Sequence, residues 1–480
     1  MKRKKKKKIN MLFKIIGIIS LIITLFFCVT LFMLDMLPTK YLIIIYSLIL
    51  ILYTILLLLV MLNKIKTKVK TICTIILIIF DMFFGFGIYY ISETISFVDI
   101  IDNKMHQKEE YYVMTLSNNE ISEIKELQNK DIGVYKNINS DKAIEKLSKK
   151  IEFTYKEYAD ITDMFDDLEE EKISAIIING SIKTLLETEF NELDSNLKEI
   201  YNFTISIEKK EDIVKVVDVT RQPFNIYIAG GDAYGDIGNV TNTDVNMVVT
   251  VDPVNKKLLL TSIPRDYYVN LPSFGEDAYD KLTHAGYYGI EESVQAVEKL
   301  LDIDINYYVK INFSTIEGII DAIGGVDVYS DYNFCLGNSK DICFKKGMNK
   351  LNGYRALMFA RERQSFSDGD VQRVKNQQKV FEAIINKATS STVIITNFSE
   401  ILNSVSSNFS TNLDSKSINR LVKMQLNDMS GWSIESQNLT GTDYSSTVYT
   451  FPTQKLYIMK RDEKSVTDAI EKIKEAFENK

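Results

Sequence analysis

Three long apolar runs at the start of the chain constrain everything that follows them. Ile15 to Leu34 is twenty residues without a charge, Tyr41 to Leu62 is twenty-two, and Thr71 to Ser92 is apolar apart from Asp81. Each is long enough to cross a bilayer as a helix, which takes about 20 apolar residues. The lysines orient them: MKRKKKKK and Lys14 carry eight basic groups, the Lys64 to Lys70 loop carries four, and the Asp35 to Lys40 turn is balanced. The positive-inside rule predicts a cytoplasmic N-terminus and second loop, with everything after Ser92 outside the cell membrane. A cleavable signal peptide does not fit, because two more spans follow and no small-residue cleavage site is evident. Asp81 is costly in mid-span, so it either serves a function or pairs with a neighbouring helix.

Thirteen of the basic residues and two of the acidic ones precede Glu93, which leaves 44 basic against 62 acidic residues from Glu93 onward, a net charge of −18. A surface that acidic excludes nucleic acid as a partner, since phosphate backbones need a broad basic face. Cys28 and Cys73 sit in the apolar runs, while Cys335 and Cys343 lie beyond them, eight apart around GNSKD. An oxidising exterior favours a hairpin disulfide there over two free thiols. His106 and His284 are the only histidines, and no Cys/His spacing suits zinc, so any metal must be held by oxygen.

Beyond the basic tail and spans of residues 1–92, residues 93–215 read as a small α/β accessory domain. DIGVY, DKAIEKLSKKIEFTYKEY and DITDMFDDLEEEKISAIIING alternate short strands with amphipathic helices, and Ile176 to Ile178 reads as a buried strand. The order resembles, in outline, one lobe of a solute-binding protein. No ligand motif stands in it, and a spacer or docking role is as open as sensing.

Residues 216–480 form the third part. PFNIYIAGGD is a strand ending in glycines and Asp232, and a polar loop leads to Asp244 and the strand VNMVVTV. If the loop returns the chain beside the first strand, both aspartates lie at one edge of the sheet, where they could hold a hard cation such as Mg²⁺, or Mn²⁺. LLLTSIPRDYYVNLP delivers Arg265 at a loop, and ESVQAVEKLLD, INYYVKINF and STIEGIIDAIGG alternate in the α/β manner. In ALMFARERQSFSDGDVQRVKNQQKVFEAIINK, an extended Met358 to Arg363 would put Arg361 and Arg363 on one face. Asp368 or Asp370 is a good N-cap for the helix that follows, whose positions 370, 373 and 377 share a stripe of Asp370, Arg373 and Gln377. Guanidinium forks match phosphate, so the cluster points to a phosphate or pyrophosphate ligand; a solvated charged face is the bland alternative.

The runs SIPRDYYVNLP, YDKLTHAGYYG, INYYVKINFSTIEGIIDAIGGVDVY, LNGYRALMFARER and DVQRVKNQQKV together resemble the LytR-CpsA-Psr family, and especially its capsule-type CpsA members. The likeness is strong over Pro223 to Lys387 and looser in the tail. It implies an α/β fold in which three N-terminal transmembrane helices and the accessory domain precede an α/β/α sandwich around a mixed sheet, with an apolar pocket for a polyprenyl chain. It also implies an activity: a membrane-anchored phosphotransferase moving a glycopolymer, capsular polysaccharide in this subgroup, from an undecaprenyl-pyrophosphate-linked precursor to peptidoglycan. Asp232 and Asp244 match the family's metal-associated aspartates. Arg265, Arg361, Arg363 and Arg373 match its pyrophosphate-binding arginines, and Asp370 and Gln377 its polar helix positions. Two arginines common in the family are replaced here by Asn242 and Asn376. A polyprenyl pyrophosphate hydrolase, and a non-catalytic lipid-binding regulator of capsule synthesis, remain open beside the transferase.

Overall fold

The computed structural model describes residues 2–103, 106–137, 139–189, 191–208, 215–231, 243–337, 339–390, 393–397, 400–401, 404 and 409–478. By its internal contacts the chain divides into two units: residues 1–102 with 398–402 and 414–430, and residues 103–397 with 403–413 and 431–480.

In the first unit the three apolar runs are helices, Lys2–Met33, Thr39–Met61 and Thr67–Asn103, and the segments Lys8–Met33, Thr39–Met61 and Thr67–Ile95 are long and apolar enough to span a membrane. Their outward faces are as apolar as their inward ones, with Leu50 and Phe83 each 69% exposed. That all-round hydrophobicity marks helices whose solvent is lipid. Asp81 meets its cost by pairing: its Oδ1 accepts from Ser20 Oγ and Tyr53 Oη, each at 2.7 Å, so one carboxylate ties all three helices.

The second unit opens on a five-stranded sheet. Its order is Thr154–Tyr158, Asp131–Tyr135, Ala175–Asn179, His106–Leu116, Leu197–Glu208; the first three strands are parallel, and His106–Leu116 runs antiparallel to both of its neighbours. Every residue of Ala175–Asn179 is buried because both faces of the sheet are covered. Ala175 and Ile177 pack on one side with Leu127 and Leu147, while Ile176 and Ile178 pack on the other with Met164 and Phe165. Tyr287, Val448, Phe451 and Ile458 complete the second cluster, so this module shares a core with the following sheet's flank.

That following sheet has six strands in the order Phe409–Thr411, Tyr307–Asn312, Phe224–Gly231, Val245–Asp252, Lys257–Ile263, Ser433–Asn438. It is mixed: Tyr307–Asn312 runs parallel to Phe224–Gly231, and Ser433–Asn438 parallel to Lys257–Ile263, while the other pairings are antiparallel. Strand alternation sends Tyr227, Ala229, Val248 and Tyr308 to one face, where Ile290–Leu301 and Glu463–Glu478 close a dry core over them. Ile228, Met247 and Ile311 point the opposite way, toward the helices Phe313–Ala322, Gly353–Arg361 and Gly369–Ser390, and there the packing leaves a cavity. Gly353 sets how closely two of those helices approach, because a Cβ at that position would lie 2.2 Å from the Glu317 carbonyl oxygen.

One expectation is corrected. Met358 to Arg361 is not extended; it is the last turn of the Gly353–Arg361 helix, which Asn352 caps by accepting from the Arg355 amide at 3.0 Å. Ala356, Leu357 and Phe359 are buried at helical spacing, and the chain turns extended only at Glu362. The five-residue apolar run Ala356 to Ala360 does not by itself distinguish the two states.

Candidate functional site

The cavity has a volume of about 270 Å³ and is chemically two-ended. Its walls are apolar, from Ile228 and Met247 on the sheet to Ile316, Phe381 and Ile384 on the helices. Its polar lining is Asp244, Arg265, Arg361, Arg363, Arg373 and Gln377, six of the eight residues singled out from sequence. Asp370 is outside the lining and reaches the site through Arg373, whose Nη2 lies 2.6 Å from Asp370 Oδ1. Asp232 lies outside the described residues, as do Asn242 and the loop between them.

Each polar group is placed by local structure. Gly230 pairs with Val245 across the antiparallel strands, and the Asp244 amide donates to the Gly230 carbonyl at 2.8 Å, which fixes Asp244 at the sheet edge. Arg265 follows the strand Lys257–Ile263, and its Nη1 donates to Asp244 Oδ1 at 3.0 Å. The YDKLTHAG segment holds this loop: the Thr283 amide donates to the Arg265 carbonyl at 2.8 Å, and His284 Nδ1 meets Asp280 Oδ1 at 2.6 Å in a fully buried pair. Asp280 Oδ2 also accepts from the Thr450 amide at 2.7 Å, so His284 belongs to the scaffold. The Arg361 guanidinium sits 4.3 Å from the centre of the Phe313 ring, a cation–π geometry. Arg373 and Gln377 occupy one stripe of the Gly369–Ser390 helix, as their spacing predicts, with Asp368 immediately before its first residue.

Sequence reasoning missed three supports. Asp266 lies 3.4 Å from Arg265 Nε and 3.2 Å from Lys281 Nζ, a second anchor for the arginine; only the polar residues inside SIPRD and YDKLTH hinted at it. Asn376, where the family commonly has arginine, is buried, and its Nδ2 donates to the Phe359 carbonyl at 3.3 Å. It ties two helices together instead of adding charge to the site. Gln378 Nε2 donates to the Gln437 carbonyl at 2.9 Å, fastening the same helix to the sheet's edge strand.

Electrostatically the mouth is short of anion. Burial pulls the Arg373 guanidinium down from its usual value, and Arg265 and Arg363 pull the same way against Asp370 and Asp244. Burial also acts to lower Arg265, but Asp244 and Asp266 outweigh it and hold that group above its usual value. Arg373 keeps a buried Nε without a hydrogen-bond partner, and Arg265 Nε has only its 3.4 Å ion-pair contact with Asp266. An unsatisfied buried donor costs about 1–3 kcal/mol, which an oxyanion seated between them would recover. Among the described residues no three His, Cys, Asp or Glu side chains gather at one point. Asp244 nevertheless suits a hard cation of the Mg²⁺ type, which needs one or two carboxylates when phosphate oxygens complete its shell.

Comparison with known proteins identifies a family. The family model described as LytR_cpsA_psr matches residues 188–465. The polyisoprenyl-teichoic acid–peptidoglycan teichoic acid transferase TagU of Bacillus cereus is 32% identical over 242 residues, covering 50% of this chain and 76% of the relative. TagT of Bacillus subtilis, a transferase of the same description, is 32% identical over 285 residues, covering 57% of this chain and 86% of the relative. The crystal structure of Bacillus subtilis TagV shares 28% identity over 54% of this chain and 99% of its own, with a TM-score of 0.46. With the family match spanning more than half its length, the chain belongs to the LytR-CpsA-Psr family.

Proposed function

We propose that this protein is a membrane-anchored phosphotransferase that moves a glycopolymer from a polyprenyl-pyrophosphate-linked precursor to peptidoglycan. The observation that carries the proposal is the two-ended cavity, apolar along its walls and lined with four arginines at its polar end. Few ligands need both; a pyrophosphate on a polyprenyl chain does. At about 270 Å³ the cavity lies just below the 300–1,000 Å³ usual for small-molecule sites, so it takes only the first isoprene units of the chain.

In this reading Arg265, Arg361, Arg363 and Arg373 clamp the pyrophosphate, Gln377 adds a polar contact, and Asp370 holds Arg373 in place. An acceptor hydroxyl of peptidoglycan attacks the phosphorus next to the glycan and loses its proton to water, the pyrophosphate P–O bond breaks, and the polyprenyl phosphate leaves with its negative charge neutralised by the same guanidiniums. Phosphoryl transfer asks little covalent chemistry of a protein; positioning and charge neutralisation supply most of the acceleration. Asp244 and Asp232 would hold Mg²⁺ or Mn²⁺, which supplies further neutralisation of phosphate oxygens.

The finer substrate we assign is capsular polysaccharide, on the strength of three spans and an accessory module like those of the capsule-type subgroup; the relatives above are named for teichoic acid. The test supplies the full chain, in bilayer discs with Mg²⁺ and peptidoglycan, with either a lipid-linked capsular glycan or a lipid-linked teichoic acid. Covalent glycan on peptidoglycan supports transfer, and preference for the capsular donor supports the subgroup. Release of glycan independent of peptidoglycan would make the protein a hydrolase, and unchanged donor would make it a lipid-binding regulator. We also place the transferase part outside the cell, from the lysine asymmetry. An exterior-active reporter should work after Ser92 and fail in the Lys64 to Lys70 loop, and the reverse pattern would sink that orientation.

A further inference from the structure

Between Arg361 and Arg363 stands a carboxylate that the proposed chemistry does not use. Glu362 is 8% exposed, and it does not turn toward the neighbouring arginines' ligand. Its Oε1 accepts from the Ser365 amide at 2.8 Å, and its Oε2 accepts from the Gly337 amide at 3.2 Å. Gly337 belongs to the turn between strands Phe334–Leu336 and Ser339–Phe344, the hairpin closed by the Cys335–Cys343 disulfide. The two segments touch at closest approach there, since a Cβ on Gly337 would lie 2.9 Å from the Cβ of Gln364. Ser365 Oγ also donates to the Cys335 carbonyl at 2.6 Å. At its other end the Gly353–Arg361 helix is held by the same hairpin, with Arg355 Nη2 donating to the Cys343 carbonyl at 2.7 Å. Phe334 and Phe344 pack on Phe359 with ring centres 5.6 and 5.2 Å away.

We infer that Glu362 is a positioning residue which locks the Arg361–Arg363 turn onto the disulfide hairpin, so that the anion affinity of the arginine site depends on the Cys335–Cys343 bond. The inference rests on the pyrophosphate reading of that site. A guanidinium fork gains its advantage over a point charge only when its direction is fixed, and the turn carrying two of the four arginines is tied to this hairpin through Glu362 and Ser365. The disulfide is exposed at both cysteines, and Cys28 and Cys73 are free thiols, so a dithiol reductant has one bond to act on. Reduction passes two electrons from the reagent to the bond, gives two thiols and leaves the reagent as its own disulfide.

The sign of the effect separates this role from simple electrostatics. Removing a negative charge beside an anion site should tighten binding; removing a strut should weaken it. The measurement is the Kd of inorganic pyrophosphate and of farnesyl pyrophosphate for the full chain in detergent, oxidised and reduced. We expect Glu362→Ala to weaken both ligands by about tenfold, the scale set by leaving two amides without their acceptor. Glu362→Gln keeps one acceptor oxygen and should fall between, which covers the case in which the alanine variant does not fold. Reduction should weaken the wild type, and weaken Glu362→Ala by less, because part of its effect passes through the Glu362 contact. Wild-type binding together with unchanged or tighter binding in Glu362→Ala or Glu362→Gln overturns this inference alone. If the wild type binds neither ligand, the anion-site reading falls and this inference with it.

Discussion

Replacing Arg361, Arg363 or Arg373 by lysine keeps the charge and removes the planar fork. Each swap, made singly, should lower the transfer rate by about tenfold or more, since a hydrogen bond to a charged group is worth roughly 1.5–3 kcal/mol. A solvated surface arginine would change activity by less than about 0.5 kcal/mol, so rates near wild type in all three variants would mark the cluster as surface. Asp244→Ala should abolish metal-dependent turnover, with part of the loss coming from Arg265, whose Nη1 gives up its 3.0 Å partner. Persistent activity with the same response to added Mg²⁺ would remove Asp244 from the metal site. Asp244 and Arg265 were legible because they adjoin strand ends, and Arg373 because it sits on one helix stripe; Arg361 and Arg363 were legible from their RER motif although the segment carrying them ends a helix instead of a strand. Asp266, Lys281 and Asn376 were not, because the first two act through an ion pair between a loop and the end of the strand Tyr279–Lys281, and the third replaces a charge with a buried contact to Phe359.

At the scale of elements, the Asp81 contacts are the sharpest test. Asp81→Leu removes the acceptor shared by Ser20 and Tyr53 and should lower the unfolding midpoint of the chain's helical signal in detergent, by an amount matching about 0.6–2 kcal/mol per lost interhelical bond. Asp81→Asn keeps an acceptor oxygen and should lose less. Equal stability in both variants would mean that the carboxylate does not hold the bundle. The alternating strands and helices of the sandwich were readable from periodicity. The hairpin of Gly441–Val448 and Phe451–Arg461 left no such signal: most of its first strand is exposed, so no two-residue apolar period marks it.

Across the whole molecule, the accessory module and the sandwich share one apolar cluster, in which Met164 and Phe165 meet Phe451 and Ile458. Sequence reading divides them at residue 215, and no periodicity could reveal a core built from segments nearly 300 residues apart. Phe451→Ala should therefore destabilise both parts together, by about 3–5 kcal/mol for a buried phenylalanine. Two separate thermal transitions, only one of them moved by the substitution, would contradict the shared core. The central claim remains that the arginine-lined end of an apolar cavity holds the pyrophosphate from which a glycan is transferred. The most direct test is a single-turnover reaction of the full chain with a lipid-pyrophosphate-linked glycan, Mg²⁺ and peptidoglycan, scored by glycan covalently attached to the wall polymer. Attachment by the wild type that falls about tenfold in Arg363→Lys is the predicted result; no attachment by the wild type, or equal attachment by the variant, would contradict the account.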